Sequence, residues 1–260
     1  MAAQVDKITY TSTPEQIQAM HTAFDAALAD VQKDFGKSYP MLINGKERVA
    51  ASTFTTTAPA NRKTVLGTFQ LGTAKDVDDA VAAARAAYPI WSGMGWAERI
   101  AIMRRAAELV RERKFRISAL LIHECGKNRV EAIGEVEEAA DMIDEYTSQI
   151  EAHGGFVTKL GALDPGERNR SVLRPFGVWA VLAPFNFPFA LSLGMSSGAL
   201  LAGNTVVFKP ASLTPNAGGE LCTVSHAAGM RTRIDGPSVV AESIQEHRSH
   251  VPARLREEQE

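Results

Sequence analysis

Apolar side chains recur at steps of three and four along much of this chain, and short continuous apolar runs interrupt that rhythm. Ile17, Met20, Phe24, Leu28 and Val31 share one face behind Pro14, which predicts a loosely attached N-terminal helix. Met41, Leu42 and Ile43 run into Asn44-Gly45, a dipeptide suited to the type I′ turn of a hairpin. Residues 49–69 are rich in Thr, Ala and Val, punctuated by Pro59 and Gly67, and read as irregular strand and loop. Three helices are predicted next. Thr73 with Asp76 has the capping-box spacing, Val77, Ala80, Val81, Ala84 and Tyr88 share a face, and Pro89 is expected to end the helix. A second helix over 97–113 buries Ile102, Met103, Ala106, Leu109 and Val110. The basic run 111–116 reads as a solvated helix end whose cations complement the dipole. A third helix over 129–151 turns Ile133, Val136, Ala140, Ile143, Thr147 and Ile150 inward. Its carboxylates, Glu135, Glu137, Glu138, Asp141, Asp144 and Glu145, read as a solvated face.

The rhythm then changes. Gly154-Gly155 and Asp164-Pro165-Gly166 flank a short segment, and Ser171, Val172, Leu173 and Arg174 are strand-like, so 154–174 is expected to project as a β-hairpin. Val178–Leu182 is a continuous apolar run of strand length, expected to be buried on both faces. It enters Ala183-Pro184-Phe185-Asn186-Phe187-Pro188, whose prolines stiffen a loop. Leu191, Leu193, Met195, Leu200 and Leu201, set among small residues, predict a packed helix ending at Gly203-Asn204. Thr205, Val206, Val207 and Phe208 form a second buried strand closed by Lys209-Pro210. Strand, helix and strand at this spacing make a parallel crossover, and ligands of such sheets sit beyond the strands' carboxyl ends. Asn186 and Lys209 both fall there.

Composition narrows the chemistry. Hydrophobic residues at 45% and charged residues at 22% exclude a wholly disordered chain. A net charge of −2 gives no electrostatic footprint for nucleic acid, and no apolar run reaches membrane-spanning length. The two cysteines, Cys125 and Cys222, imply neither a disulfide framework nor a zinc site, and the N-terminus lacks a secretory apolar region, so a cytoplasmic protein is expected. The six histidines stand at no ligand spacing, which argues against a metal. Phosphate-binding glycine motifs and the nucleophile-elbow pattern are absent. The Asn186 amide either donates to a developing oxyanion or bonds nearby loop backbone. Lys209 either meets a ribose or phosphate or is a surface lysine. Each cysteine is a nucleophile or an inert thiol, and neither has an evident activating base beside it.

Residues 184–188, Pro-Phe-Asn-Phe-Pro, followed by Ala202-Gly203-Asn204-Thr205-Val206-Val207-Phe208-Lys209-Pro210-Ala211, resemble the paired signature of the aldehyde dehydrogenase superfamily. Glu124-Cys125-Gly126-Lys127-Asn128-Arg129, with Glu131-Ala132 and Glu135-Val136, resembles the branch that oxidises L-glutamate γ-semialdehyde, the open form of 1-pyrroline-5-carboxylate. Asn44-Gly45-Lys46 and Trp91-Ser92 also fit. The resemblance implies an α/β fold with an incomplete Rossmann-like parallel sheet, a helical N-terminal layer and the projecting hairpin. It implies that Asn186 is the oxyanion donor, that Lys209 bonds the adenosine ribose, that the backbone at Ala183, Pro184 and Phe185 lines the cofactor, and that Phe187 helps enclose the aldehyde. Ser212 stands where many members carry a glutamate that grips both ribose hydroxyls, so NAD is implied and NADP stays open. A small-molecule aldehyde and a homo-oligomer follow from the same likeness.

The motif likeness ends after Met230. Residues 1–40 read as a helical extension, 41–230 as a partial dinucleotide-binding domain, and 231–260 as a foreign, disordered tail, as expected of a shifted reading frame or a premature stop. Neither cysteine matches the family's nucleophile motif. This predicts a chain inactive by itself, or a non-catalytic nucleotide-binding or interaction module, with at least one strand left with an unpaired edge.

Overall fold

A computed structural model describes residues 12–230 and the strand Ser238–Val239. Thr13 caps α1 (Pro14–Val31), its hydroxyl accepting from Gln16 N while the Gln16 side chain returns to Thr13 N. Met20, Phe24 and Val31 are buried, and Phe24 meets Phe115 edge-to-face. The helix is therefore anchored rather than loosely attached. A 3-10 turn, Gln32–Asp34, leads to β1 (Ser38–Tyr39), β2 (Met41–Ile43) and β3 (Lys46–Arg48). Asn44 and Gly45, with φ of 52° and 67°, make the tight turn between β2 and β3.

Residues 49–69 are more regular than their composition suggests. They form β4 (Thr53–Ala58) and β5 (Asn61–Gln70), one long antiparallel hairpin with register shifts near Thr57, and β1 pairs parallel with β5 on its other side. Helices α2 (Ala74–Gly93), α3 (Trp96–Glu112), α4 (Lys114–Cys125) and α5 (Arg129–Ala152) follow. Pro89 does not end α2. Four more residues follow it because Trp91, fully buried, donates its indole N–H to Leu200 O at 2.8 Å and anchors the last turn. Sequence periodicity missed α4, whose start lies inside the basic run 111–116. Those cations are not a simple solvated end. Arg111 meets Asp141 and Asp144, Lys114 meets Glu137 at 2.8 Å, and Arg116 bridges Asp30, Asp34 and Glu220.

The exposed strands β6 (Val157–Lys159) and β7 (Arg170–Val172) pair antiparallel as the projecting hairpin. Then come β8 (Val178–Leu182), α6 (Ala190–Leu201), β9 (Thr205–Lys209), α7 (Pro215–Ala227) and β10 (Ser238–Val239). The main sheet has the order β3-β2-β10-β9-β8, with β8 parallel to β9 as the crossover requires. Val207, with Val178 beside it, packs with Ala80 and Ala84 of α2 on one face. Val181, Val206 and Phe208 join α3, α5, α6 and α7 on the other.

Strand β9 is buried as expected, but β8 is not. Among the described residues β8 has one neighbour, and Trp179 is 44% and Leu182 64% exposed, on opposite faces of the sheet edge. Apart from β10, residues 231–260 lie outside the described residues, and so does the expectation that they are disordered.

Candidate functional site

The parallel pair β8 and β9 places its carboxyl ends side by side. Leu182 is in register with Lys209, and Ala183 N donates to Lys209 O at 3.0 Å. Asn204 holds the opposite end of the pair. It is 2% exposed; its Oδ1 accepts from Phe176 N at 2.7 Å and Gly177 N at 2.9 Å, and its Nδ2 donates to Ala199 O. One amide therefore ties the start of β8 to the end of α6.

Beyond β8 the chain turns through residues 183–188. Phe185, Asn186 and Phe187 are exposed while Pro188 and Phe189 are buried, so the loop is moored at its far end and open at its crest. The Asn186 side chain makes no hydrogen bond within the described residues. Lys209 is half-buried with Nζ 3.2 Å from Pro210 O, and half-buried Ser212 lies on the turn that leads into α7. The structure thus brings Ala183, Pro184, Phe185, Asn186 and Phe187 to one strand end and Lys209 and Ser212 to its neighbour.

Two buried glutamates fix the helices that leave this edge. Glu135 of α5, 2% exposed, accepts through Oε1 from Phe189 N at 2.9 Å and Ala190 N at 3.1 Å, at the N-terminus of α6. Its Oε2 receives Lys127 Nζ at 2.5 Å. The same ammonium lies 3.8 Å from the ring centroid of Phe187, a cation–π contact that ties the loop crest to the α4–α5 turn. Glu124, at the end of α4 and 5% exposed, accepts from Asn216 N and Ala217 N at 2.7 Å each, at the N-terminus of α7. Burial pushes its carboxyl up to about 7, against the pull of the two backbone N–H groups.

Helix N-termini beyond strand ends are the usual seats for phosphate. Here both are taken by carboxylates of the chain itself. The strand ends carry Lys209 and Ser212, while the backbone N–H groups at the starts of α6 and α7 are occupied by Glu135 and Glu124.

Neither thiol suits nucleophilic attack. Burial raises both Cys125 and Cys222 to about 12, and each Sγ lies near a carbonyl, Phe185 O at 3.6 Å and Gly218 O at 3.5 Å. Thiolate is scarce at neutral pH for both.

The solvated-face reading of the α5 carboxylates holds for Glu138, Asp141 and Glu145, but Glu135 and Glu137 are buried. Glu135 had a detectable signal: it lies three residues after Ala132 and four before Ala139, on the apolar stripe. Glu124 had none beyond the likeness it shares with a known motif, because the backbone N–H groups it accepts from are 92 and 93 residues away, and the contact of Lys127 with Phe187 spans 60 residues. Among the described residues no helix is long and apolar enough to cross a membrane, and no cluster of metal-ligating side chains forms.

Comparison with known proteins gives a consistent picture. Residues 47–257 match the model of the aldehyde dehydrogenase family, a span that runs past Met230. A 1-pyrroline-5-carboxylate dehydrogenase of Staphylococcus saprophyticus is 36% identical over 210 residues, 80% of this chain and 40% of that protein. The Bacillus subtilis 1-pyrroline-5-carboxylate dehydrogenase 2 is 37% identical over 209 residues, again 80% and 40%. Among solved structures, a 1-pyrroline-5-carboxylate dehydrogenase from Thermus with bound NAD superimposes with a TM-score of 0.80 at 31% identity, over 90% of this chain and 44% of that one. Proline utilization A from Bdellovibrio bacteriovorus superimposes with a TM-score of 0.82 at 27% identity, over 90% of this chain and 24% of that one. The chain spans about two fifths of the length of the curated relatives it matches.

Proposed function

Because the chain belongs to the aldehyde dehydrogenase family, we propose that it supplies the oxyanion donor and the adenosine side of the cofactor site for oxidising L-glutamate γ-semialdehyde to L-glutamate. The observation that carries this reading is Asn186: an exposed amide without a hydrogen bond, on a loop moored by Pro188 and Phe189 beside the carboxyl end of β9. When a thiolate adds to an aldehyde, the carbonyl oxygen becomes an oxyanion. An amide N–H aimed at that oxygen accelerates such a step by about 10² to 10³. Phe187, its ring steadied by Lys127, walls the space where the aldehyde would lie.

The residues present fit one half of a nicotinamide dinucleotide. Lys209 and Ser212 offer donors to ribose hydroxyls, and the backbone at Ala183, Pro184 and Phe185 offers a surface alongside. When bound, the dinucleotide supplies the hydride acceptor. Ser212 carries no charge to repel a 2′-phosphate, so NADP fits as well as NAD. Burial holds both Cys125 and Cys222 well above the usual thiol range, so neither fits the attacking thiol of this reading. In this reading residues 41–230 are the family's partial dinucleotide-binding domain, and the protein works in the cytoplasm as part of a homo-oligomer.

The test is an assay of NADH formation from glutamate semialdehyde by the purified chain, paired with titration calorimetry of NAD. No turnover is expected, with an affinity weaker than about micromolar, roughly −8 kcal/mol, that falls further on Lys209→Met. Turnover that disappears on Asn186→Ala would show that one of the two thiols is the nucleophile after all.

A further inference from the structure

We propose that Lys127 is a positioning residue for Asn186: through the Phe187 ring and the Glu135 carboxylate it fixes the direction in which the loop crest presents its amide. The inference deepens the oxyanion reading above and rests on it. A group that donates to a transient oxyanion keeps its N–H for that oxygen, so its aim is set through its neighbours. Holding the residues on either side fixes the Cα–Cβ bond of Asn186 and leaves only its side-chain torsions to settle.

The α4–α5 turn and the first part of α5 supply those holds. Cys125, the last residue of α4, donates through Sγ to Phe185 O at 3.6 Å, one residue before Asn186. Lys127 Nζ lies 3.8 Å from the ring centroid of Phe187, one residue after it. Glu135 takes the N–H groups of Phe189 and Ala190, where the loop enters α6. The turn has caps of its own. Gly126 takes φ 71°, the left-handed conformation that stops α4, and Asn128 caps α5 by accepting from Glu131 N at 2.9 Å. Lys127 stands between these two fixed points.

Of the three holds, the Lys127 contact is the one that selects a direction at the crest. A thiol is a weak donor, and Glu135 acts on the start of α6, beyond Pro188. The Lys127 side chain is 13% exposed and bonded at 2.5 Å to a fully buried carboxylate, so its ammonium is fixed before it meets the ring. A cation over a ring face is most favourable where water is excluded, and it sets which way the ring plane turns. A lysine that only balanced the charge of Glu135 could take any approach to that carboxylate. This one takes the approach that also covers Phe187.

The experiment measures backbone order parameters by nitrogen-15 relaxation on the whole chain, together with urea midpoints. In the parent, Asn186 and Phe187 should lie at about 0.85, the value of rigid backbone. Lys127→Met should bring both below about 0.6 while Val206 and Phe208 of β9 keep theirs. Lys127→Arg, whose guanidinium bonds a carboxylate and stacks on a ring, should restore them. Phe187→Leu removes the ring and leaves the ion pair, so it should loosen Asn186 without shifting the urea midpoint. It decides the matter alone if Lys127→Met does not fold. An Asn186 that is mobile in the parent, or that stays rigid in Lys127→Met or Phe187→Leu, would overturn the proposal. So would an arginine variant as loose as the methionine one, or a loss of order spread evenly through β9. Neither readout uses turnover or NAD. An NAD affinity indifferent to Lys209→Met would count against the proposed function and leave the ordering of Asn186 as measured.

Discussion

The N-termini of α6 and α7 are capped in the same way and paid for differently. Each receives a buried glutamate from the helical layer, and each glutamate accepts from two consecutive backbone N–H groups. Glu135 also holds Lys127, whose ammonium rests on Phe187. Among the described residues no cation is paired with Glu124, and its carboxyl is raised to about 7. The difference shows that capping a helix and neutralising the cap are separate tasks. Where a lysine does the second, it also couples the cap to the loop that presents Asn186. Where none does, the cap becomes sensitive to pH.

The strongest way to break this comparison is to delete both carboxylates. Glu135→Ala strands the largely buried Lys127 ammonium and should cost about 3–5 kcal/mol, the range for breaking a buried ion pair. Glu124→Ala strands uncharged donors, the backbone N–H groups of Asn216 and Ala217 and the Asn216 side chain, and should cost about 1–3 kcal/mol. Urea midpoints of the two variants decide it, and equal losses would mean that Lys127 is not what separates the two caps.

The pH dependence of stability gives the next largest effect. The folded pKa of Glu124, about 7, lies above its ordinary 4.5, so folding favours the protonated form. That contribution is fully present below pH 4.5 and is lost as pH rises through 7, amounting to about 3 kcal/mol over the full window. Urea midpoints from pH 4.5 to 8.5 should therefore carry a downward component that Glu124→Gln removes. A Gln variant with the same profile as the parent would show that another group is titrating.

A smaller effect sharpens the contrast. After burial, the charge of Glu124 is the next cause that holds the Cys125 thiol up, followed by Glu135, with Lys127 opposing. Glu124→Gln should therefore modestly speed alkylation of Cys125 by iodoacetamide at pH 8. Cys222, whose charged neighbour is Glu220, serves as the internal control and should not change.

How far the sequence revealed these features depended on how local each one is. The Asn44-Gly45 turn, the Thr13 and Asn128 caps and the β8-α6-β9 crossover arise from neighbours in sequence. The turn and the crossover could be read in advance. An unpaired strand edge was expected, but that β8 is the strand with one neighbour among the described residues could not be read, because an apolar run records what a strand prefers and not how many neighbours it finds. Pro89 misled because its penalty is local while the anchor that overrides it, Trp91 on Leu200 O, spans 109 residues. At the candidate site, the placement of Asn186 and Lys209 at the ends of neighbouring strands was legible from the apolar runs that precede them. The glutamates behind them were hidden by a general expectation that helix carboxylates face water.

Helix α6 is gripped at both ends by side chains made earlier in the chain: Glu135 at its start, and Trp91 and Arg99 on Leu200 O and Leu201 O at its finish. Every one of those groups leaves the ribosome before α6 does. During synthesis the receiving surface can assemble from α2, α3 and α5 first, and α6 then closes onto a seat that already exists. Started from the full-length denatured chain, the same closure must find partners 54 to 109 residues away, so refolding in vitro should be the slower route.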